Sequence, residues 1–277
     1  MAEPNGFESR AAGRWKLLVR PELWSGTLWE QTIALVSAAR SRKHPQTLRV
    51  AGAGDGARAC FVKIYSPPRG AGSIKDLFRD SKAIRALKMS AAMGRSGFHA
   101  PPPLAAGEER IAGRLGCAFL ITSEITGTPL PQVLRDRFGG SFDKSRFRTK
   151  HAWIRQLADE IRRFHDAGFV HGDLVVSNIF VAVEGERPVF YLMDHDRTRR
   201  YPHVLSRLLA RRNLVQLNRF ELPTISRSDR ARFMRHYTGR NDRRLNRWLV
   251  RETRRRYGPS RRMLIEPKRE RVADQIR

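Results

Sequence analysis

Residues 171–178 read His-Gly-Asp-Leu-Val-Val-Ser-Asn, and sixteen residues after Asn178 comes Asp194, in Met193-Asp194-His195-Asp196. Two short apolar runs lie in between, NIFVAV (178–183) and VFYLMD (189–194), separated by a polar turn. They predict a β-hairpin, which returns Asp194 to the side of Asn178. Ahead of the segment, Ile154, Leu157, Ala158, Ile161 and Phe164 recur at helical spacing. This stripe predicts a helix from about 145 to 167 with one apolar face, and Gly168 is placed to cap its end. An Asp on the loop that follows can accept a hydroxyl proton. An amide oxygen five residues on and a carboxylate at the hairpin end suit a hard cation such as Mg²⁺.

The flanking sequence sorts into two kinds of segment. Residues 1–30 are dotted with Trp15, Trp24 and Trp29 without a clear period, and are expected to form an N-terminal extension. TIALVSAA (32–39), TLRVAG (47–52) and ACFVKIY (59–65) are apolar patches of strand length. Asp55-Gly56 signals a tight turn between the last two. Residues 73–95 predict a helix carrying Leu77, Ile84 and Leu87, closed by Gly97 and Pro101–Pro103. CAFLITSEI (117–125) is a second strand region, and 197–277 reads as helices broken near Pro202, Pro223, Gly239 and Gly258. The order predicts an α+β chain: a small β-rich lobe at 31–125, a helical lobe at 126–277, and a ligand cleft between them.

Charge narrows the partners. Lys and Arg number 54 against 27 Asp and Glu, a formal +27, and only nine of the cations are Lys. Such a surface seeks polyanions, and guanidinium groups suit bidentate phosphate and carboxylate recognition. An Arg excess also follows from a GC-rich genome. Residues 197–277 hold 25 basic and 7 acidic residues, 25 − 7 = +18. Within them, Leu245, Trp248 and Leu249 at 240–262 would give a helix an apolar stripe opposite a basic face, as on an anionic membrane. No helix-turn-helix or zinc pattern accompanies the charge, so no specific nucleic acid is expected. Cys60 and Cys117 sit in apolar runs and read as core residues, which excludes a disulfide framework. The chain has no apolar run long enough to span a bilayer and its N-terminus lacks a signal-like apolar segment, so the expected compartment is the cytoplasm.

The string at 171–178 fits the H-x-D-L-x-x-x-N catalytic loop of protein-kinase-like phosphotransferases. From about 45 to 240 the chain resembles the lipopolysaccharide kinase family of Kdo and heptose kinases. The matching pieces are Phe61-Val62-Lys63, Gly97–Pro101, Leu120-Ile121-Thr122-Ser123-Glu124, the 171–178 loop and Asp194-His195-Asp196-Arg197. The resemblance implies a two-lobed kinase-like fold and ATP-dependent phosphorylation of a sugar hydroxyl in the lipopolysaccharide core. The acceptor would then be an anionic glycolipid, met at the inner face of the cytoplasmic membrane. It also implies roles: Asp173 as base, Asn178 and Asp194 on Mg²⁺, Lys63 on the ATP phosphates, and Glu124 in the segment that meets adenine.

Three departures stand out. No Glu occurs in 73–95 to pair with Lys63; Ala86 occupies the expected position, with Asp76 and Asp80 as substitutes. His195 stands where kinases carry Phe, bringing a polar, titratable group beside Asp194. A glycine-rich phosphate loop is missing between TIALVSAA and TLRVAG, where Arg40-Ser41-Arg42-Lys43-His44-Pro45 offers Ser41 and Lys43 to the phosphates instead. Rival readings are a small atypical protein or small-molecule kinase, and a pseudokinase or polyanion-binding module. The last leaves the spaced set His171, Asp173, Asn178 and Asp194 without a function.

Overall fold

The computed structural model describes residues 4, 6–39, 46–50, 59–66, 79–140, 143–185, 187–258 and 261–262. The described residues divide into two compact units, one ending at Ile125 and one beginning at Thr126.

The first unit is built on a six-stranded antiparallel sheet. Its strands are β1 (Glu8–Ala12), β2 (Trp15–Val19), β3 (Gln46–Val50), β4 (Cys60–Tyr65), β5 (Pro103–Ile111) and β6 (Arg114–Ser123), in the order β1-β2-β5-β6-β4-β3. Residues 8–19, expected to lie in an extension, are therefore two strands of the sheet itself. TIALVSAA is likewise not a strand: it is the C-terminal half of helix α1 (Gly26–Ala39). Leu28, Thr32, Val36 and Ala39 form its buried stripe, and the Ser25 hydroxyl accepts the Leu28 amide at 3.1 Å to start it. The stripe begins upstream of the apolar run, so a window opening at Thr32 sees only an unbroken apolar patch.

Alternation along the strands sends side chains to two cores. Val62, Ile64, Phe119 and Ile121 pack with Trp15, Leu28 and Val36 on one face. Tyr65, Leu120 and Ala106 pack on the other against helix α2 (Lys82–Arg95), through Ala83, Ile84, Ala86 and Leu87. Phe119 and Leu87 are fully enclosed, and burying a side chain of this kind contributes roughly 1.5–3 kcal/mol. Cys60 and Cys117 are buried in the first of these cores and are not joined in a disulfide.

The second unit holds α3 (Leu130–Phe138), α4 (Lys144–Asp166), α5 (His203–Leu217), α6 (Arg227–Thr238) and α7 (Arg243–Tyr257). Asp143 caps α4, accepting the Arg146 amide at 2.7 Å. Every member of the stripe from Ile154 to Phe164 is buried. Gly168 ends the helix at φ +90°, where a Cβ would come within 2.5 Å of the Tyr201 carbonyl, so only glycine fits. A buried ion pair, Lys150 Nζ to Asp229 Oδ2 at 2.6 Å, ties α4 to α6.

The apolar stripe of α7 turns inward. Leu249 is buried with Leu214, Val215 and Met234, and Leu245 and Trp248 pack against them. The expected lipid-facing stripe is thus part of the core. Large apolar side chains are exposed instead at the start of α5, at Val204, Leu205 and Leu208.

Candidate active site

The loop after α4 begins with the short strand β7 (Phe169–Val170) and leads to the hairpin β8 (Ile179–Glu184) and β9 (Arg187–Leu192). The hairpin register places Ile179 opposite Leu192. One step beyond, the Met193 amide donates to the Asn178 carbonyl at 2.8 Å. Asn178 and Asp194 are therefore neighbours across the mouth of the hairpin, as the spacing predicts. The Asn178 side-chain amide donates from Nδ2 to the Asp173 carbonyl at 3.0 Å. That bond holds the Asp173 turn and leaves Oδ1, an acceptor, available to a cation.

Asp194 is exposed and takes the left-handed conformation, φ 63° and ψ 69°. Non-glycine residues adopt this at a cost, and it persists where surroundings impose it. His195 is one of the surroundings. It is buried, its Nε2–H donates to the Leu192 carbonyl at 2.7 Å, and its Nδ1 lies 3.3 Å from the Thr198 hydroxyl. The polar group that stands where kinases carry Phe is thus an internal tie in this turn.

His171 is fully enclosed and donates from Nε2 to the Met193 carbonyl at 2.8 Å. Burial pushes its pKa down, so the ring is neutral, and its buried Nδ1 has no hydrogen-bond partner. Gly172 follows at φ +77°, where a Cβ would lie 2.7 Å from the Arg197 carbonyl. The two residues ahead of Asp173 thereby meet both sides of Asp194, His171 bonded to Met193 and Gly172 close against Arg197.

A second set of ties comes from α5, and sequence reasoning missed it. Asn213 Oδ1 accepts the His171 amide at 2.9 Å. Gln216 Nε2 donates to the Gly172 carbonyl at 2.7 Å, while its Oε1 accepts the Leu174 amide at 3.2 Å and Asn213 Nδ2 at 3.0 Å. Behind Asn213, His165 donates from Nε2 to the same Oδ1 at 3.1 Å and accepts the Tyr237 hydroxyl at Nδ1, 2.9 Å away. Burial pushes the His165 pKa down to about 4 and raises that of Tyr237. The legible signal was two amides three residues apart on an otherwise apolar helix face; such a pair must satisfy its polar groups somewhere.

In the first unit, Lys63 is half-buried on β4. It shares a strand face with Tyr65, whose ring lies 5.3 Å from its ammonium, and that is the face α2 covers. Ala86 is buried there. Asp80 pairs with Lys88 at 2.6 Å, and Asp76 lies outside the described residues, as do Ser41, Lys43 and the Asp55-Gly56 turn. Glu108 is the buried carboxylate of this face: it accepts the Ser81 amide at 2.7 Å and Arg110 Nε at 2.9 Å, fixing the start of α2 to β5. Glu124 is held bidentately by Arg49, at 2.8 and 2.9 Å. The hydrogen bonds from Arg49 lower its pKa. Its amide donates to the Ala59 carbonyl at 2.8 Å, so that N–H is already engaged.

Among the described residues no group of three or more His, Cys, Asp or Glu forms a metal cluster. One carboxylate and one amide oxygen nonetheless fit Mg²⁺, which takes few protein ligands and completes its shell with phosphate oxygens and water.

Residues 74–237, more than half of the chain, match the model of the lipopolysaccharide kinase (Kdo/WaaP) family. Among solved structures, WaaP in complex with acyl carrier protein is similar, with a TM-score of 0.59 and 22% identity, over 87% of this chain and 99% of that one. That likeness carries the fold. No curated protein matches the chain. The loop that joins Asp173 to Asn178, the α+β kinase-like fold and the family match converge: the chain belongs to the lipopolysaccharide kinase (Kdo/WaaP) family and is a phosphotransferase.

Proposed function

We propose that this kinase transfers the γ-phosphate of ATP to a hydroxyl of a Kdo or heptose residue in the lipopolysaccharide core. The observation that carries the reading is the pairing of Asn178 with Met193, which sets an amide oxygen and the Asp194 carboxylate beside the Asp173 loop. Asp173 orients the acceptor hydroxyl and takes its proton as the bond to phosphorus forms. Asn178 and Asp194 hold Mg²⁺, which neutralises charge on the transferring phosphoryl group when bound. Lys63 binds the donor phosphates, with Ser41 and Lys43 from the segment ahead of β3. Glu124 and its neighbours meet adenine through a group other than the Glu124 amide.

The same reading assigns the partners. An anionic glycolipid acceptor suits a chain of formal charge +27. Peripheral contact with an anionic membrane is supported by exposed Val204, Leu205 and Leu208 on α5, interleaved with Arg207, Arg211 and Arg212. A protein partner of the acyl-carrier type is suggested by the complex in which WaaP was solved.

The test is thermal stabilisation by ATP with and without Mg²⁺, on wild type and Asp194→Ala. Magnesium-dependent stabilisation in wild type alone supports the reading. Equal stabilisation of both proteins refutes the assignment of Asp194.

A further inference from the structure

The second unit contains a cavity of about 800 Å³ in which no residue of the 171–178 loop or of the 194–197 turn takes part. Five arginines line it: Arg162 of α4, Arg207 and Arg211 of α5, Arg240 before α7 and Arg244 of α7. Only two carboxylates oppose them, so the lining carries 5 − 2 = +3. His165, also in the wall, adds no charge at neutral pH, because burial holds its pKa near about 4.

The two carboxylates offset only part of the cluster. Asp166 lies 3.7 Å from Arg207 and 3.9 Å from His203, and Asp242 is occupied in capping α7 through the Leu245 amide at 2.8 Å, with Arg240 at 3.4 Å. Arg162 and Arg244 have no ion pair among the described residues. Arg211 is oriented by the Trp248 ring, 5.6 Å from its guanidinium carbon. Converging guanidinium groups raise one another's energy until an anion enters, and their planar forks match phosphate oxygens two at a time.

The wall of this cavity is also the back of the catalytic loop. The Tyr237 hydroxyl in the lining bonds His165, His165 bonds Asn213 Oδ1, and that oxygen accepts the His171 amide. Asn213 in turn bonds Gln216, which holds the Gly172 carbonyl and the Leu174 amide. Two side chains therefore separate a cationic cavity from the backbone around Asp173.

We propose that this arginine-lined cavity binds a compact ligand bearing two or more phosphate groups, and that its occupancy is transmitted to the Asp173 loop through His165 and Asn213. A single phosphate leaves the +3 lining incompletely neutralised, whereas two can engage arginines contributed by different helices. The site is separate from the nucleotide site, so the proposal stands or falls apart from the identity of the sugar acceptor.

The experiment is titration with inorganic pyrophosphate in EDTA at fixed ionic strength, followed by calorimetry, for wild type, Arg211→Ala/Arg244→Ala and Asp194→Asn. All three substituted side chains are exposed, and melting curves check that the variants fold. The expected result is saturable binding to wild type and Asp194→Asn, weakened at least about tenfold in the double arginine variant. Hydrogen exchange at His171–Leu174 should slow in wild type with saturating pyrophosphate and stay unchanged in the double variant. Absence of saturable binding, equal binding by the double variant, or loss of binding in Asp194→Asn overturns the site. Binding without slowed exchange at His171–Leu174 overturns the coupling.

Discussion

The Nε2–H of His171 donates to the carbonyl of Met193 at 2.8 Å, across 22 residues of sequence. This bond joins the loop that carries Asp173 to the turn that carries Asp194, from inside the protein. Replacing His171 by Ala removes the donor, strands a buried carbonyl and opens a void. Unfolding in urea should show a loss of about 2–4 kcal/mol. A variant as stable as wild type would remove His171 from the framework of the site.

Gln216 acts one layer further out. It touches only backbone, at Gly172 and Leu174, and its neighbour Asn213. Gln216→Ala should lower kcat on the order of 10–100-fold by letting the Asp173 loop shift. KM for ATP should change little, since Gln216 meets no substrate group. A change confined to KM would contradict the positioning role.

Stability should fall with acid in a window set by His165. The ordinary histidine value of 6.5 is pushed down to about 4 by burial. Between these values the unfolded chain binds a proton that the folded chain refuses, so stability is full above about pH 6.5 and lost as pH falls toward 4. The linked loss is up to roughly 3 kcal/mol. His151, His171 and His236, also pushed down by burial, act in the same direction. Urea midpoints across this range should fall less steeply for His165→Gln than for wild type; identical slopes would show that His165 does not set the window.

The left-handed turn at Asp194 predicts a conflict between stability and activity. Asp194→Gly relaxes the backbone at φ 63° but adds freedom to the unfolded chain. The variant should be at least as stable as wild type, by up to ~1 kcal/mol, and inactive. A clear loss of stability would mean that the aspartate side chain itself holds the turn.

Much of the second unit was legible because its signals are local. The α4 stripe, Gly168 and the alternation in 178–194 each specify an element within a few residues. The return of Asp194 to the side of Asn178 follows from hairpin length alone. The first unit hid more. Residues 32–39 form an apolar run that suits a strand or a buried helix, and the deciding residues, Ser25 and Leu28, lie outside it. Trp15 and Trp29 look aperiodic in sequence because they meet through tertiary packing, 6.0 Å apart and edge to face. The structural part played by His195 was not legible because its two internal partners, Leu192 and Thr198, are found only once the turn is folded. Asn213 and Gln216 lie about 40 residues from the loop they hold; two amides on one helix face signal a buried polar contact but not which backbone they satisfy.

The central claim is that Asp173 serves as the base of a sugar kinase. The direct measurement is transfer of labelled γ-phosphate from ATP to purified lipopolysaccharide core oligosaccharide, by wild type and Asp173→Asn, with ATP binding measured in parallel. The account predicts transfer by wild type, a fall of roughly 10²–10⁴-fold in Asp173→Asn, and comparable ATP binding by both. Transfer by Asp173→Asn at the wild-type rate, or ATP binding by wild type without transfer to Kdo- or heptose-bearing acceptors, would contradict it.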